Sequence, residues 1–477
     1  MSTEITTLDG TRHELSDETI AEIREIFHGD VVTPDDSTYD ETRVVQNGMF
    51  DRRPGLIVQC TGVADVVDCV RIARERDLLL SVRGGGHSIA GTCTADDALM
   101  LDLSRMRGVW VDASERRVRV QGGAVWGDVD RETQLHGLAV PGGVISTTGV
   151  AGLTLGGGIG WLHRKYGLAC DALRAAEVVL ADGRVVRASA DEHPDLFWAL
   201  RGGGGNFGVV TTFEFDASPV GPTVWNSAVM YPLGEAEGVI ERWHDWATNI
   251  PDEITTRALC WTMPEAPLLP PAVHNRDVII LAALHSGAPD DGERLCAPLS
   301  AMGEPLADLS ETLPYRVAQS NFDPFFPKGE VQNYWKSVYL DDVDVDARRL
   351  IADRANHRPD PLTLVHVPML GGAMSRVDAG ATAYGDRSAD YMLSFDGGWP
   401  DPADNDANIA WIRSAWDDAT QLDVASGTYL NFGGDRDIDD RARERAFGRN
   451  LDRLRQVKRE YDPDNRFRLN ANIPPET

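Results

Sequence analysis

The residue types best suited to chemistry in this chain are one histidine and a set of glycines. Arg83, Gly84, Gly85, Gly86, His87 and Ser88 are consecutive. A second stretch, residues 141–160, holds Gly142, Gly143, Gly149, Gly152, Gly156, Gly157, Gly158 and Gly160, and a third, residues 201–208, ends on Gly208. Glycine costs ordering entropy and is favoured where backbone takes positive φ or must approach a ligand closely. Such loops on one strand-rich region gather backbone amides around a large anionic ligand, most simply the pyrophosphate and flat ring of a dinucleotide. A set of tight turns with no ligand is the competing reading. His87 follows a buried strand directly, so its imidazole can project towards whatever the backbone cradles; a solvated or capping histidine is the alternative there.

The surrounding pattern must position these loops. Residues 56–59 and 78–82 read as short buried strands flanking an amphipathic helix over 63–76, a unit that predicts a parallel pair joined by a crossover. Strands are predicted at 99–103 and within 109–121, a helix at 126–135, and a hairpin over 172–188 turning at Asp182 and Gly183. Gly203, Gly205 and Gly208 spell a GxGxxG, but the β-branched, alternating run 209–215 follows it where a Rossmann fingerprint needs a helix. That match is read as accidental. Asp216, Pro219, Gly221 and Pro222 mark a boundary. Beyond it, strands are predicted at 278–284, 335–340, 364–370, 391–395 and 429–432, and one helix over 441–461.

Composition narrows the function classes. With 46 Lys plus Arg against 75 Asp plus Glu, the chain of 477 residues carries a formal charge of −29, which argues against nucleic acid as a partner. No run approaches the roughly 18 apolar residues of a spanning helix, so no membrane partner is expected. The lysines are Lys165, Lys328, Lys336 and Lys458 alone; this acidic, Lys-poor composition is read as adaptation to a salty, halophilic cytosol. Six scattered cysteines lack metal-like spacing and read as reduced buried thiols, and no metal site is expected. The N-terminus carries no basic start or apolar stretch, which points to a cytoplasmic protein. HExxH, GxSxG and GxxxxGK[ST] do not occur.

Taken together, residues 83–88, 149–160, 201–208, Trp335 to Ser337, Tyr429 to Asn431, Tyr461 to Pro463 and Asn472 to Pro475 resemble the berberine bridge enzyme-like FAD-linked oxidases, within the vanillyl-alcohol oxidase and p-cresol methylhydroxylase flavoprotein superfamily. The resemblance runs from about residue 40 to 475. It implies an α+β fold: a PCMH-type FAD-binding domain of two α/β subdomains over residues 1–218, an inserted substrate domain of antiparallel sheet covered by helices over 219–425, and a berberine-bridge-like segment, 426–477, returning to the FAD domain. It implies that FAD is held by Arg83, Gly84, Gly85, Gly86, His87, Ser88, Gly142, Gly143, Thr147, Thr148, Gly149, Gly152, Gly157, Gly158, Gly160, Gly208, Val209 and Asn431. His87 would bond covalently to the flavin 8α-methyl group, for which a neutral imidazole is a competent nucleophile.

Many relatives add a second bond from a cysteine four residues before a Gly-Val-Gly-Gly segment. Here Ile145 holds that place, so attachment through histidine alone resembles that of 6-hydroxy-D-nicotine oxidase. Tyr429 falls on the tyrosine of the family's TyrxAsn motif, with Asn431 on the same strand face. Both are expected to be catalytic, Tyr429 as a base whose pKa, near 10 when free, would have to be lowered. Thr148 falls where oxygen approaches the flavin and is too small to block it, so oxygen is the expected electron acceptor. The expected reaction is hydride transfer from an alcohol or sugar-like hydroxyl of a small-molecule substrate. A cyclic-amine C–N oxidase and a flavin-binding protein without turnover remain as alternatives, and a monomer or homodimer is expected.

Overall fold

The computed structural model describes residues 3–433 and 440–476. A four-stranded sheet orders Asp30–Val32, Leu56–Gln59, Leu99–Asp102 and Leu80–Arg83. Leu56, Ile57 and Val58 are buried, as a strand covered on both faces requires, and the helix Val63–Glu75 sinks Val66, Cys69, Val70 and Ala73 at three- and four-residue spacing. The crossover expected from the sequence forms, but the two strands it joins are not neighbours. Leu99–Asp102 inserts between them, parallel to both, because its own run of buried residues fits the central position.

An antiparallel five-stranded sheet follows, in the order Val185–Ser189, Leu173–Val179, Val209–Asp216, Arg117–Gln121 and Val109–Asp112. The hairpin turns at Asp182 and Gly183 as read, with Gly183 at φ +85°. Val209–Asp216 is a strand, so the GxGxxG before it does not open a helix.

The third sheet has eight strands and is antiparallel throughout; five of them run in the order Asp277–His285, Ile254–Thr262, Leu364–Pro368, Tyr391–Trp399 and Gln332–Leu340, the last at the sheet edge. One face packs under the helices Ala236–Ala247, Val345–Asn356 and Asn405–Ala419, where Ala258, Cys260, Val365, Val367, Leu393 and Phe395 meet Val239, Trp243, Ile351 and Ile412. Because side chains alternate along a strand, Arg257, Leu259, Leu364, His366 and Asp396 take the opposite face, which roofs the glycine-rich loops.

The C-terminal region differs from its sequence reading in two places. Leu430–Phe432 is a 3-10 turn rather than a strand, with Phe432 N donating to Tyr429 O at 3.0 Å. The helix expected over 441–461 divides into Asp440–Phe447 and Leu451–Tyr461, broken by the turn Gly448–Asn450 in which Gly448 sits at φ +48°. Helix Leu451–Tyr461 and Ile473 pack into the core of the five-stranded sheet. All six cysteines are buried and unpaired, and among the described residues no helix is long and apolar enough to cross a membrane.

Candidate active site

A cavity of about 340 Å³ lies between the glycine loops and the sheet roof. Of the residues expected to hold a cofactor, Gly84, Gly85, Gly86, His87, Ser88, Gly143, Thr148, Gly149, Gly152, Gly208, Val209 and Asn431 line it. The first two loops touch: a Cβ on Gly85 would sit 2.4 Å from Gly149 Cα, so only glycine allows that approach. Gly152 and Gly205 have open space where a Cβ would lie, leaving their backbone bare on the cavity wall.

The other expected residues lie outside the lining. Arg83 is buried and spends its guanidinium on Asp102, with Nε 3.0 Å from Oδ1, and on Thr42 O. Gly142 backs onto the Trp126 ring, Gly160 presses on the Gly142 carbonyl, and Gly157 lies against the Tyr384 ring, so these glycines permit close packing. Thr147 is absent from the lining, but its Oγ1 lies 3.5 Å from His87 Nε2.

Desolvation lowers the pKa of His87 to about 4, which keeps its imidazole neutral and its nitrogen lone pair available. Ile145 lines the cavity and offers no nucleophile. Cys170 lies elsewhere, in the buried cluster with Tyr339 and Tyr384. Cys93 does line the wall, but burial raises its thiol pKa, leaving it a poor nucleophile.

Tyr429 is buried beneath the wall and is absent from the lining. Its hydroxyl oxygen accepts from Gly158 N at 3.1 Å, Ile159 N at 3.4 Å and Asn431 Nδ2 at 2.8 Å. Burial raises its pKa and outweighs these three donors, which pull it down. Burial thus acts against the lowering expected of a tyrosine base, while the hydroxyl ties the 158–159 backbone to the turn carrying Asn431. Tyr429→Phe would leave those donors without an acceptor, and a loss of about 1–3 kcal/mol in stability is expected from chemical denaturation.

The roof supplies a group that the sequence reading did not single out. Pairing places Leu364 opposite Asp396 and His366 opposite Ser394, so His366 and Asp396 are diagonal neighbours on one face. His366 Nε2 lies 2.9 Å from Asp396 Oδ2, and Ser394 Oγ donates to Asp396 Oδ1. His366 Nδ1 is buried without a partner among the described residues. With the carboxylate holding the proton on Nε2, Nδ1 is a free acceptor. Phe322, Phe326, Trp335, Phe432, Leu259 and Leu364 complete this end. The C-terminal tail closes the other: Asn470 Nδ2 donates to Gly205 O at 3.1 Å, Asn206 Nδ2 to Ala471 O at 3.2 Å, and Ile473 N to Asn206 Oδ1 at 3.0 Å.

Glycine loops with bare backbone, a neutral histidine at the cavity edge and an acid–base pair in the roof suit a flavin-dependent oxidoreductase. Comparison with known proteins identifies that class. The FAD binding domain family matches residues 54–189, and the family "Berberine and berberine like" matches residues 428–474. The FAD-linked oxidoreductase YgaK of Bacillus subtilis is 32% identical over 457 residues, covering 94% of this chain and 97% of that protein. (R)-6-hydroxynicotine oxidase of Paenarthrobacter nicotinovorans is 30% identical over 468 residues, with coverage of 94% and 97%. The crystal structure of 6-hydroxy-D-nicotine oxidase from Arthrobacter nicotinovorans superposes with a TM-score of 0.84 at 28% identity, covering 94% of this chain and 98% of that one. Xylooligosaccharide oxidase from Myceliophthora thermophila superposes with a TM-score of 0.82 at 26% identity, with coverage of 97% and 99%. The chain belongs to the berberine bridge enzyme-like FAD-linked oxidoreductases.

Proposed function

We propose that this oxidoreductase takes hydride from a hydroxyl-bearing carbon of a small, ring-containing substrate, with its FAD bonded covalently through His87 and oxygen as the electron acceptor. FAD, when bound, supplies the two-electron acceptor. The observation that carries the reading is the His366–Asp396 pair, with its free Nδ1, in an aromatic-walled end of the same cavity. The glycine loops hold the cofactor from one side while the sheet roof presents the substrate from the other. His366 Nδ1 accepts the hydroxyl proton as the substrate carbon gives up hydride, and Asp396 fixes the imidazole tautomer and stabilises the cation that forms. Ser394 orients the carboxylate, and the rings of Phe326, Trp335 and Phe432 exclude water from the reacting end. Tyr429 and Asn431 act as positioning residues. Thr148, small and on the cavity wall, leaves room for oxygen.

A cyclic-amine oxidase is the second reading. It is favoured by the aromatic part of the cavity wall, by the residue at 145 being isoleucine, and by the 30% identity to (R)-6-hydroxynicotine oxidase. Bleaching of the flavin under panels of alcohols, sugars and amines separates the two readings, and oxygen consumption with stoichiometric peroxide tests the acceptor.

The covalent bond has its own test. Acid-precipitated wild-type protein should stay yellow, with the flavin mass on the peptide containing His87. His87→Ala should give a colourless pellet while still binding FAD reversibly. A colourless wild-type pellet would end the covalent reading.

A further inference from the structure

Arg257 is a charged group of the roof that the proposed reaction leaves unused. It lies on Ile254–Thr262, where alternation sends Ala258 and Cys260 to the helices and Arg257 and Leu259 to the cavity. Its side chain is buried, with the residue 4% exposed, and its guanidinium carbon sits 4.4 Å from the centre of the Trp161 ring. Burial lowers its pKa to about 10, opposed by the charge of Asp396, so it stays a cation at neutral pH.

No hydrogen bond or ion pair joins this guanidinium to another described residue, and its Nε is buried without a partner. The other buried arginines show how the fold ordinarily deals with such a charge. Arg83 is paired with Asp102 and Arg387 with Asp171, while Arg164 donates to Ile254 O and Leu370 O at 2.8 and 2.6 Å. Asp396, the acid nearest to Arg257 in its electrostatics, already receives His366 and Ser394. Arg257 is therefore a desolvated, planar fork of donors that rests on the Trp161 ring and has no hydrogen-bond partner among the described residues, in a cavity walled by Phe322, Phe326, Trp335 and Phe432.

A guanidinium in that state matches a carboxylate bidentately, and the aromatic walls match an apolar ring. We propose that the substrate is a carboxylate-bearing ring compound, anchored by its carboxylate on Arg257 with its oxidisable carbon facing His366. This rests on the assignment of the cavity as the substrate site. It also separates the two readings of the reaction, since a buried cation that must receive an anion favours a hydroxy acid over a cationic amine.

The test is equilibrium binding to the FAD-loaded enzyme without turnover, with benzoate and its neutral isostere benzamide as probes. Affinity is read by calorimetry and by perturbation of the flavin absorption bands. Wild type is expected to prefer benzoate by about 10- to 100-fold, the range for hydrogen bonds to a charged group. Arg257→Met should erase that preference by weakening benzoate while leaving benzamide within about threefold, and Arg257→Lys should restore part of it. Equal affinity for the two probes in wild type, which needs no variant, overturns the proposal. So does an Arg257→Met enzyme that keeps its benzoate preference but has altered flavin bands and sulfite affinity without ligand, because Arg257 would then serve the cofactor. His366→Asn should retain the benzoate preference; failure of the proton-acceptor assignment would instead show as unchanged flavin reduction in that variant, so the two failures are distinguishable.

Discussion

His366→Asn should slow substrate-dependent flavin reduction by about 10²-fold or more, the usual contribution of a positioned general base. Stopped-flow bleaching of the flavin under anaerobic conditions measures this step alone. The variant removes the free Nδ1 and leaves the glycine loops and His87 untouched, so its flavin content and the covalent bond to His87 should be those of wild type. Asp396→Asn tests the same unit from behind. It keeps a hydrogen-bonding group beside His366 Nε2 but lets the amide donate, which favours the tautomer with its proton on Nδ1, the atom that must be bare. A loss approaching that of His366→Asn is expected. If both variants reduce their flavin at the wild-type rate, the pair is structural and the base lies elsewhere on the cavity wall.

The three residues given roles in the roof, Arg257, His366 and Asp396, were not legible as a site: of them only His366 falls inside a predicted strand, 364–370, while Asp396 lies one residue past the strand predicted at 391–395. Alternation assigns each strand two faces, but only pairing decides which side chains meet, and the His366–Asp396 contact spans 30 residues of chain. The parallel sheet teaches the same lesson. Three strands of four residues each sit at 56–59, 80–83 and 99–102, and their order along the chain does not say that the last of them takes the middle.

The glycine loops were legible because a need for close backbone approach leaves its mark in residue type, as at Gly85 against Gly149. Tyr429 shows the limit of that reasoning. The alternation of Tyr429, Leu430, Asn431 and Phe432 mimics a strand, yet the Asn431 amide bonds back to the Tyr429 hydroxyl and closes a turn. The spacing that brings those two side chains together is real, but it belongs to a turn that sets Asn431 on the cavity wall and Tyr429 behind it.

Lys458→Met should destabilise the fold by about 3–5 kcal/mol, the cost of stranding one partner of a buried ion pair. Lys458 and Asp462 have fully buried side chains, with Nζ 2.6 Å from Oδ2. The ammonium also donates to Asn206 O at 2.7 Å and Phe467 O at 3.0 Å, which uses all three of its protons. Asp462 in turn accepts from the backbone of Arg466 and Phe467, each at 2.9 Å. One buried cation thus pins the glycine loop before Gly208 to the returning tail, and both contribute residues to the cavity wall. Losing it should lower the denaturant midpoint and also the fraction of enzyme that retains flavin. The double variant Lys458→Met with Asp462→Asn leaves no stranded charge, so it should recover part of the loss although it makes fewer hydrogen bonds. A Lys458→Met enzyme within about 1 kcal/mol of wild type would show that the pair contributes little there, since exposed pairs alone fall in that range.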